Sequence, residues 1–224
     1  MHSVFRIDRV KRLDNQGRLW EVRLTLTADK DSQLQQLTER MEEEVQGCTG
    51  WKRIGRLLIS VGQMGKAEEL YRTLLEQASD GSDRSNYNNQ LGYVRNAQGD
   101  YEEALLYYEK CLAMRQKTLP ANHPDLATSH NNIGMVYYSM GEYSKALSYY
   151  DKCLDMKQKS LPANHPSLAT SYNNIGGVYD SMGEYSKALS HHEKSLQIRH
   201  YSLPPHHPDI HNSLKWIESV KQKL

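Results

Sequence analysis

A 42-residue period runs through the second half of the sequence and constrains its fold more than any other feature. His123-Pro124, His165-Pro166 and His207-Pro208 share one phase of it, and Leu119-Pro120, Leu161-Pro162 and Leu203-Pro204 share another. Residues 131–156 read NNIGMVYYSMGEYSKALSYYDKCLDM, and residues 173–198 read NNIGGVYDSMGEYSKALSHHEKSLQI. A looser copy occupies 88–114 and a shorter one 51–74. A fixed period of this length is the mark of one supersecondary unit stacked several times. It also accounts for the aromatic composition, fifteen tyrosines against one phenylalanine and three tryptophans.

Each copy carries two apolar stripes with helical spacing. Leu126, Ile133, Val136 and Tyr137 fall on one side of a first helix; Tyr143, Ala146, Leu147, Tyr150 and Leu154 do so on a second. Gly141-Glu142 separates the two, and Pro124 and Pro166 stand where a helix starts without losing a hydrogen bond. The unit is helix, short turn, helix, then an LPxNHP loop. Neither helix buries its stripe alone, so stacked copies must share one core, which predicts an all-α solenoid. The pairs are expected over 48–79, 83–118, 124–160 and 166–202, together spanning 48–207. Gly55, Gly92, Gly134 and Gly176 recur mid-helix, where glycine costs about 1 kcal/mol relative to alanine. Close backbone approach of the paired helices, opposite Ala67, Ala104, Ala146 and Ala188, is the expected reason. One period after Gly176 stands Glu218, so 208–224 reads as a capping helix. Its Leu214, Ile217 and Val220 are expected on the core, and Lys215, Glu218 and Lys221 in water.

Composition narrows the function. The formal net charge is +1, without the positive excess of a nucleic-acid or anionic-membrane binder. No run of eighteen apolar residues and no apolar signal segment is present, and the three cysteines are not spaced for a disulfide framework or a zinc ribbon. These features predict a cytoplasmic protein with neither nucleic acid nor membrane as partner. No Gly-rich phosphate loop, G-x-S-x-G or H-E-x-x-H occurs, so no cofactor and no catalytic residue is expected. His206, His207 and His211 cluster, but no Cys or carboxylate completes a metal site with recognised spacing. His123, His165 and His207 precede prolines at helix starts and read as structural. Cys111 and Cys153 share a phase in the second helix and read as small core residues. Tyr107, Tyr108, Tyr137, Tyr149, Tyr150 and Tyr179 recur at core phases, with hydroxyls expected to reach the edge.

The repeats resemble tetratricopeptide repeats over about residues 48–224. Trp51, Ile54, Gly55, Leu58, Gly62, Ala67 and Tyr71 follow the W-x2-L-G-x2-Y signature and its later small and aromatic positions. The 42-residue form with its LPxNHP loop is similar to the kinesin light chain subtype. The resemblance implies a right-handed superhelix whose concave face is lined by first helices, at positions three before and one after the small residue. Carried over, these are Lys52 and Arg56, Asn89 and Tyr93, Asn131 and Met135, Asn173 and Gly177. Tyr138 and Asp180 follow one turn on. Asparagine is a poor helix former, and its amide offers both donors and acceptors. A column of such amides can hold an extended peptide by its backbone. Alternatively Asn89, Asn131 and Asn173 bond neighbouring helices and order the stack, a role also expected of Asn88, Asn132 and Asn174. Lys52 and Arg56, four apart, can take a carboxylate. The leading expectation is a non-enzymatic scaffold binding a peptide or protein in its concave groove. A motor cargo adaptor is a further reading, but Leu34, Leu37, Met41 and Val45 supply too few heptads to join a motor.

Residues 1–28 differ. Trp20, Val22, Leu24 and Leu26 alternate with polar residues, Val4–Val10 reads as a weaker strand, and Asp14-Asn15-Gln16-Gly17 as a turn, which predicts a β-hairpin. SVFRI, a turn and LWEVRLTLT resemble the last strands of mono-ADP-ribosyltransferase domains fused to such repeats. The Glu-x-Glu motif that precedes those strands is missing, so the resemblance implies a C-terminal fragment or a degenerate relative without transferase activity. Residues 29–47, with Asp31, Glu39, Glu42, Glu43 and Glu44 against Arg40, are expected to form an acidic linker helix.

Overall fold

A computed structural model describes residues 50–224 in full, and the backbone alone of 5–12 and 20–26. The strands β1 (Phe5–Arg12) and β2 (Trp20–Leu26) pair antiparallel, with Phe5 opposite Leu26 and a register shift between Ile7 and Arg9. The expected linker helix over 29–47 lies outside the described residues. From residue 50 onward the chain is helical: α1 (Gly50–Ser60), α2 (Met64–Gln77), α3 (Gly81–Gln98), α4 (Tyr101–Thr118), α5 (Pro124–Ser139), α6 (Tyr143–Ser160), α7 (Pro166–Ser181), α8 (Tyr185–Ser202) and α9 (Pro208–Lys221). The chain divides into two compact units, 1–73 and 74–224, with the boundary inside the span of α2.

Helix boundaries in the second unit repeat with the sequence. A helix leaves its first N–H groups without partners. Here the imidazole Nδ1 of His123, His165 and His207 accepts one of them, from the backbone N–H two residues on, at 3.1, 3.2 and 3.1 Å. The proline that follows each histidine occupies the first turn, where no N–H is needed. The repeat-phase histidines are therefore N-caps. Each hairpin turns on a glycine in the left-handed region, Gly99, Gly141 and Gly183, with φ of 84°, 75° and 76°.

The mid-helix glycines have a different cause from the one expected. The backbone of the second helix is not what they make room for. A Cβ built on Gly92 would lie 2.8 Å from the Tyr108 ring; on Gly134, 2.9 Å from Tyr150; and on Gly176, 2.8 Å from the His192 imidazole. In the first unit Gly55 meets Tyr71 in the same way. Each ring stands four residues after the alanine of its second helix, so alanine sets the helices close and the ring fills the notch. Burying such a ring gains roughly 1.5–3 kcal/mol, more than the about 1 kcal/mol that the glycine costs. Tyr108 is 0% exposed, and its hydroxyl is buried without a hydrogen-bond partner rather than at an edge. Burial accordingly pushes its pKa up. Ile133 and Val136 pack against Ala104 and Tyr108, and Ile175 and Val178 against Ala146, Tyr150 and Leu154. Cys111 and Cys153 are fully buried in this core, and burial raises the Cys111 thiol pKa.

A cation near the end of α4, α6 and α8, buried for Arg115 and Arg199 and half-buried for Lys157, fastens the hairpin to the next first helix. Arg115 Nη1 donates to Asp125 O at 2.9 Å and Ser129 Oγ at 3.0 Å. Lys157 Nζ donates to Ser167 O at 3.1 Å and Ser171 Oγ at 2.9 Å. Arg199 Nη1 donates to Asp209 O at 2.9 Å and Ser213 Oγ at 2.6 Å. The last of these holds α9 in place. The apolar stripe of α9 departs from expectation by one residue class: Ile210, Ser213, Ile217 and Val220 are buried, whereas Leu214 is 47% exposed. A serine takes a core position there because Arg199 needs its oxygen. Arg199→Met keeps the stem but deletes both bonds; urea unfolding is expected to show a loss of about 1.5–3 kcal/mol, as for hydrogen bonds from a charged donor.

Candidate functional site

The wall formed by successive first helices is tied together by bonds between residues 43 apart, one more than the repeat. Asn132 Nδ2 donates to Asn89 Oδ1 at 3.0 Å, and Asn174 Nδ2 to Asn131 Oδ1 at 2.9 Å. The Tyr138 and Ser181 hydroxyls share a hydrogen bond of 3.0 Å. Lys223 Nζ donates to both carboxylate oxygens of Asp180, at 2.8 and 2.9 Å. The extra residue reflects a one-residue offset between neighbouring first helices.

The two asparagine series thus bond to each other, so ordering the stack and lining a groove are not exclusive roles. Asn88 is the exception: its Nδ2 donates to Arg84 O at 2.8 Å. Asn89 and Asn131 spend their carbonyl oxygens on the ladder. Among the described residues, no acceptor takes a proton from their Nδ2 groups. The ladder stops at α9, where Trp216 stands one period after Asn174. Asn173 Oδ1 instead contacts His192 Nδ1 at 3.0 Å.

Above this break lies a pocket of about 400 Å³. Five of the groove positions singled out in the sequence line it together: Met135, Tyr138, Asn173, Gly177 and Asp180. Gly177 forms an open part of its wall, since a Cβ there would meet nothing within 4 Å. Tyr93 lies 42% exposed on α3. Lys52 and Arg56 lie on α1, in the first unit. Reading the sequence missed Tyr150, His192 and Trp216, which also line the pocket. The available signal was a break in phase: His192 replaces the tyrosine of earlier repeats, and Trp216 the asparagine.

His192 is 3% exposed and its ring tilts against Trp216 with centroids 5.7 Å apart. Burial lowers its pKa from the ordinary 6.5 to about 4; Asp180 opposes the shift, while His191 and Arg199 add to it. Between pH 6.5 and 4 the unfolded chain takes a proton that the folded chain refuses, so acidification favours unfolding. His130 and His191, lowered by burial as well, act in the same direction. Stability measured by denaturant titration is expected to fall by roughly 1–3 kcal/mol from pH 7 to pH 4 on account of His192. His192→Tyr should remove that share.

The adjacent glycines Gly176 and Gly177 predict opposite signs. Gly176→Ala collides with the His192 ring and should cost roughly 1–3 kcal/mol. Gly177→Ala enters open space in a helix and should stabilise by about 0.5–1 kcal/mol. Thermal melts of the two variants check both.

A stack of helix hairpins closed by a single helix, with polar side chains along its first helices, defines a helical-repeat solenoid. Tetratricopeptide-repeat profiles match residues 48–117, 83–159 and 125–199, and the chain belongs to the tetratricopeptide-repeat family. No curated protein matches it. Among solved structures it is similar to BtubC (BKLC) from P. vanneervenii, at 23% identity and TM-score 0.69, covering 77% of this chain and 71% of that one. It is similar to a putative kinesin light chain of Podosopora anserina with nearly identical TPR-like repeats, at 21% identity and TM-score 0.65, covering 84% and 86%. The apo form of RapI matches at 21% identity and TM-score 0.63, covering 84% of this chain and 53% of that one. Among the described residues no helix is long and apolar enough to cross a membrane.

Proposed function

We propose that this protein is a non-enzymatic, cytoplasmic scaffold that binds an extended peptide segment of a partner protein along α3, α5 and α7. The observation that carries the proposal is the half-spent amide ladder. Asn89 and Asn131 each keep two N–H donors for a guest after bonding the next repeat. Asn173 does the same beside the pocket. Donors held at fixed intervals suit the carbonyls of an extended main chain, whatever its sequence. Tyr93, Met135 and Tyr138 add exposed or half-buried apolar surface on the same helices, and Asp180 adds a charge. Lys52 and Arg56, one turn apart on α1, are a separate candidate for a carboxylate.

The ladder permits a test that separates binding from stability. Asn131→Asp retains an acceptor for Asn174 Nδ2 and deletes the donors. Peptides selected by array against the full chain, with neutral central residues, are expected to bind the variant about tenfold more weakly, the worth of one hydrogen bond near 1.4 kcal/mol. Its melting temperature should stay within a degree or two. Asn131→Ala and Asn173→Ala should weaken binding likewise. Unchanged affinity in all three, or a collapse of the melting temperature, would return these residues to a purely architectural role.

A further inference from the structure

We propose that the pocket between α5, α7 and α9 is a subsite for a basic side chain, arginine foremost, and that Lys223 of this chain occupies its acidic wall until a ligand displaces it. The inference rests on the groove reading above and specifies what one end of that groove selects.

Its starting point is charge. Of the residues that line the pocket, Asp180 alone carries a formal charge at neutral pH, because His192 is held neutral by burial. Its carboxylate already accepts a primary ammonium: both oxygens bond Lys223 Nζ, which also sits 5.7 Å from the Tyr185 ring centroid. Lys223 lies beyond the last residue of α9. The Lys223 and Asp180 side chains are 41% and 28% exposed, and an ion pair so open to water is weakly held.

The remaining walls suit a long cationic side chain rather than a bare ammonium. Trp216 and Tyr138 are 42% and 38% exposed and offer aromatic surface to a cation. Met135 offers an apolar surface for the alkyl stem. Gly177 supplies the room: the equivalent position one repeat earlier is Met135 and two repeats earlier Tyr93, and either side chain at 177 would fill the space. Tyr150 is 4% exposed and lines the pocket, and no hydrogen bond joins its hydroxyl to another of the described residues. A phenol oxygen left in that position is an acceptor for one of the five N–H groups of a guanidinium, while Asp180 takes two more in a fork. Lysine can satisfy Asp180 but not both.

The test uses the full chain labelled with nitrogen-15 and follows the Trp216 indole N–H, assigned by Trp216→Phe. The probes are three short acetylated peptides alike except for a central arginine, citrulline or glutamate. The arginine peptide is expected to shift the Trp216 resonance saturably, and the citrulline peptide, equal in shape but uncharged, to bind at least tenfold more weakly. Asp180→Asn should abolish that difference. Lys223→Ala should tighten arginine binding severalfold, because a competitor is gone; a merely structural Lys223 would give no change or a loss. Gly177→Met should eliminate the arginine response without lowering the melting temperature. Equal binding of arginine and citrulline peptides, or unchanged or weaker binding in Lys223→Ala, overturns the subsite while leaving the groove proposal standing. If array-selected peptides also fail to bind, both proposals fall.

Discussion

The packing of one aromatic ring into one glycine notch underlies this solenoid. A first helix and a second helix can approach closely only where both lack bulk, and the alanines at 104, 146 and 188 and the glycines at 92, 134 and 176 provide that. The ring one turn further along the second helix then locks the pair, as Tyr108, Tyr150 and His192 do. Glycine is unfavourable in a helix by about 1 kcal/mol, so a helix built this way depends on its partner to persist. That dependence makes the hairpin, rather than the helix, the cooperative unit. With Glu218 in the glycine's place, α9 has no notch for a ring.

Between hairpins the connection is polar. Arg115, Lys157 and Arg199 reach from the end of a second helix to the first turn of the next repeat, each satisfying a backbone carbonyl and a serine. A cation at this place also faces the negative end of its own helix. Apolar packing alone would tolerate sliding between repeats, whereas a hydrogen bond with two fixed acceptors sets the register. The one-residue offset seen in the Asn89–Asn132, Asn131–Asn174, Tyr138–Ser181 and Asp180–Lys223 pairs follows from that register.

The candidate site gains its character where the repeat is broken. Three substitutions at repeat phases coincide in one place: Gly177 for methionine, His192 for tyrosine and Trp216 for asparagine. Each is unremarkable in the linear sequence. Together they open a pocket, end the amide ladder and expose an indole. A regular solenoid offers a repeated surface, and these departures from regularity set this part of it apart.

Periodicity alone determined the helical hairpins, the LPxNHP connections, the core phases and the capping role of α9. These depend on hydrophobic spacing and on glycine and proline chemistry, both local in the chain. The resemblance to tetratricopeptide repeats also pointed to Met135, Tyr138, Asn173, Gly177 and Asp180 as residues of one face, and they line one pocket. Tertiary structure decided the rest. It showed that glycines 92, 134 and 176 receive rings instead of backbone, that Ser213 rather than Leu214 faces the core, and that the asparagines bond across a 43-residue step. Contacts of this kind depend on the offset between whole helices. That offset is set by side-chain volume and hydrogen-bond geometry acting across repeats, which no reading of a single repeat can supply.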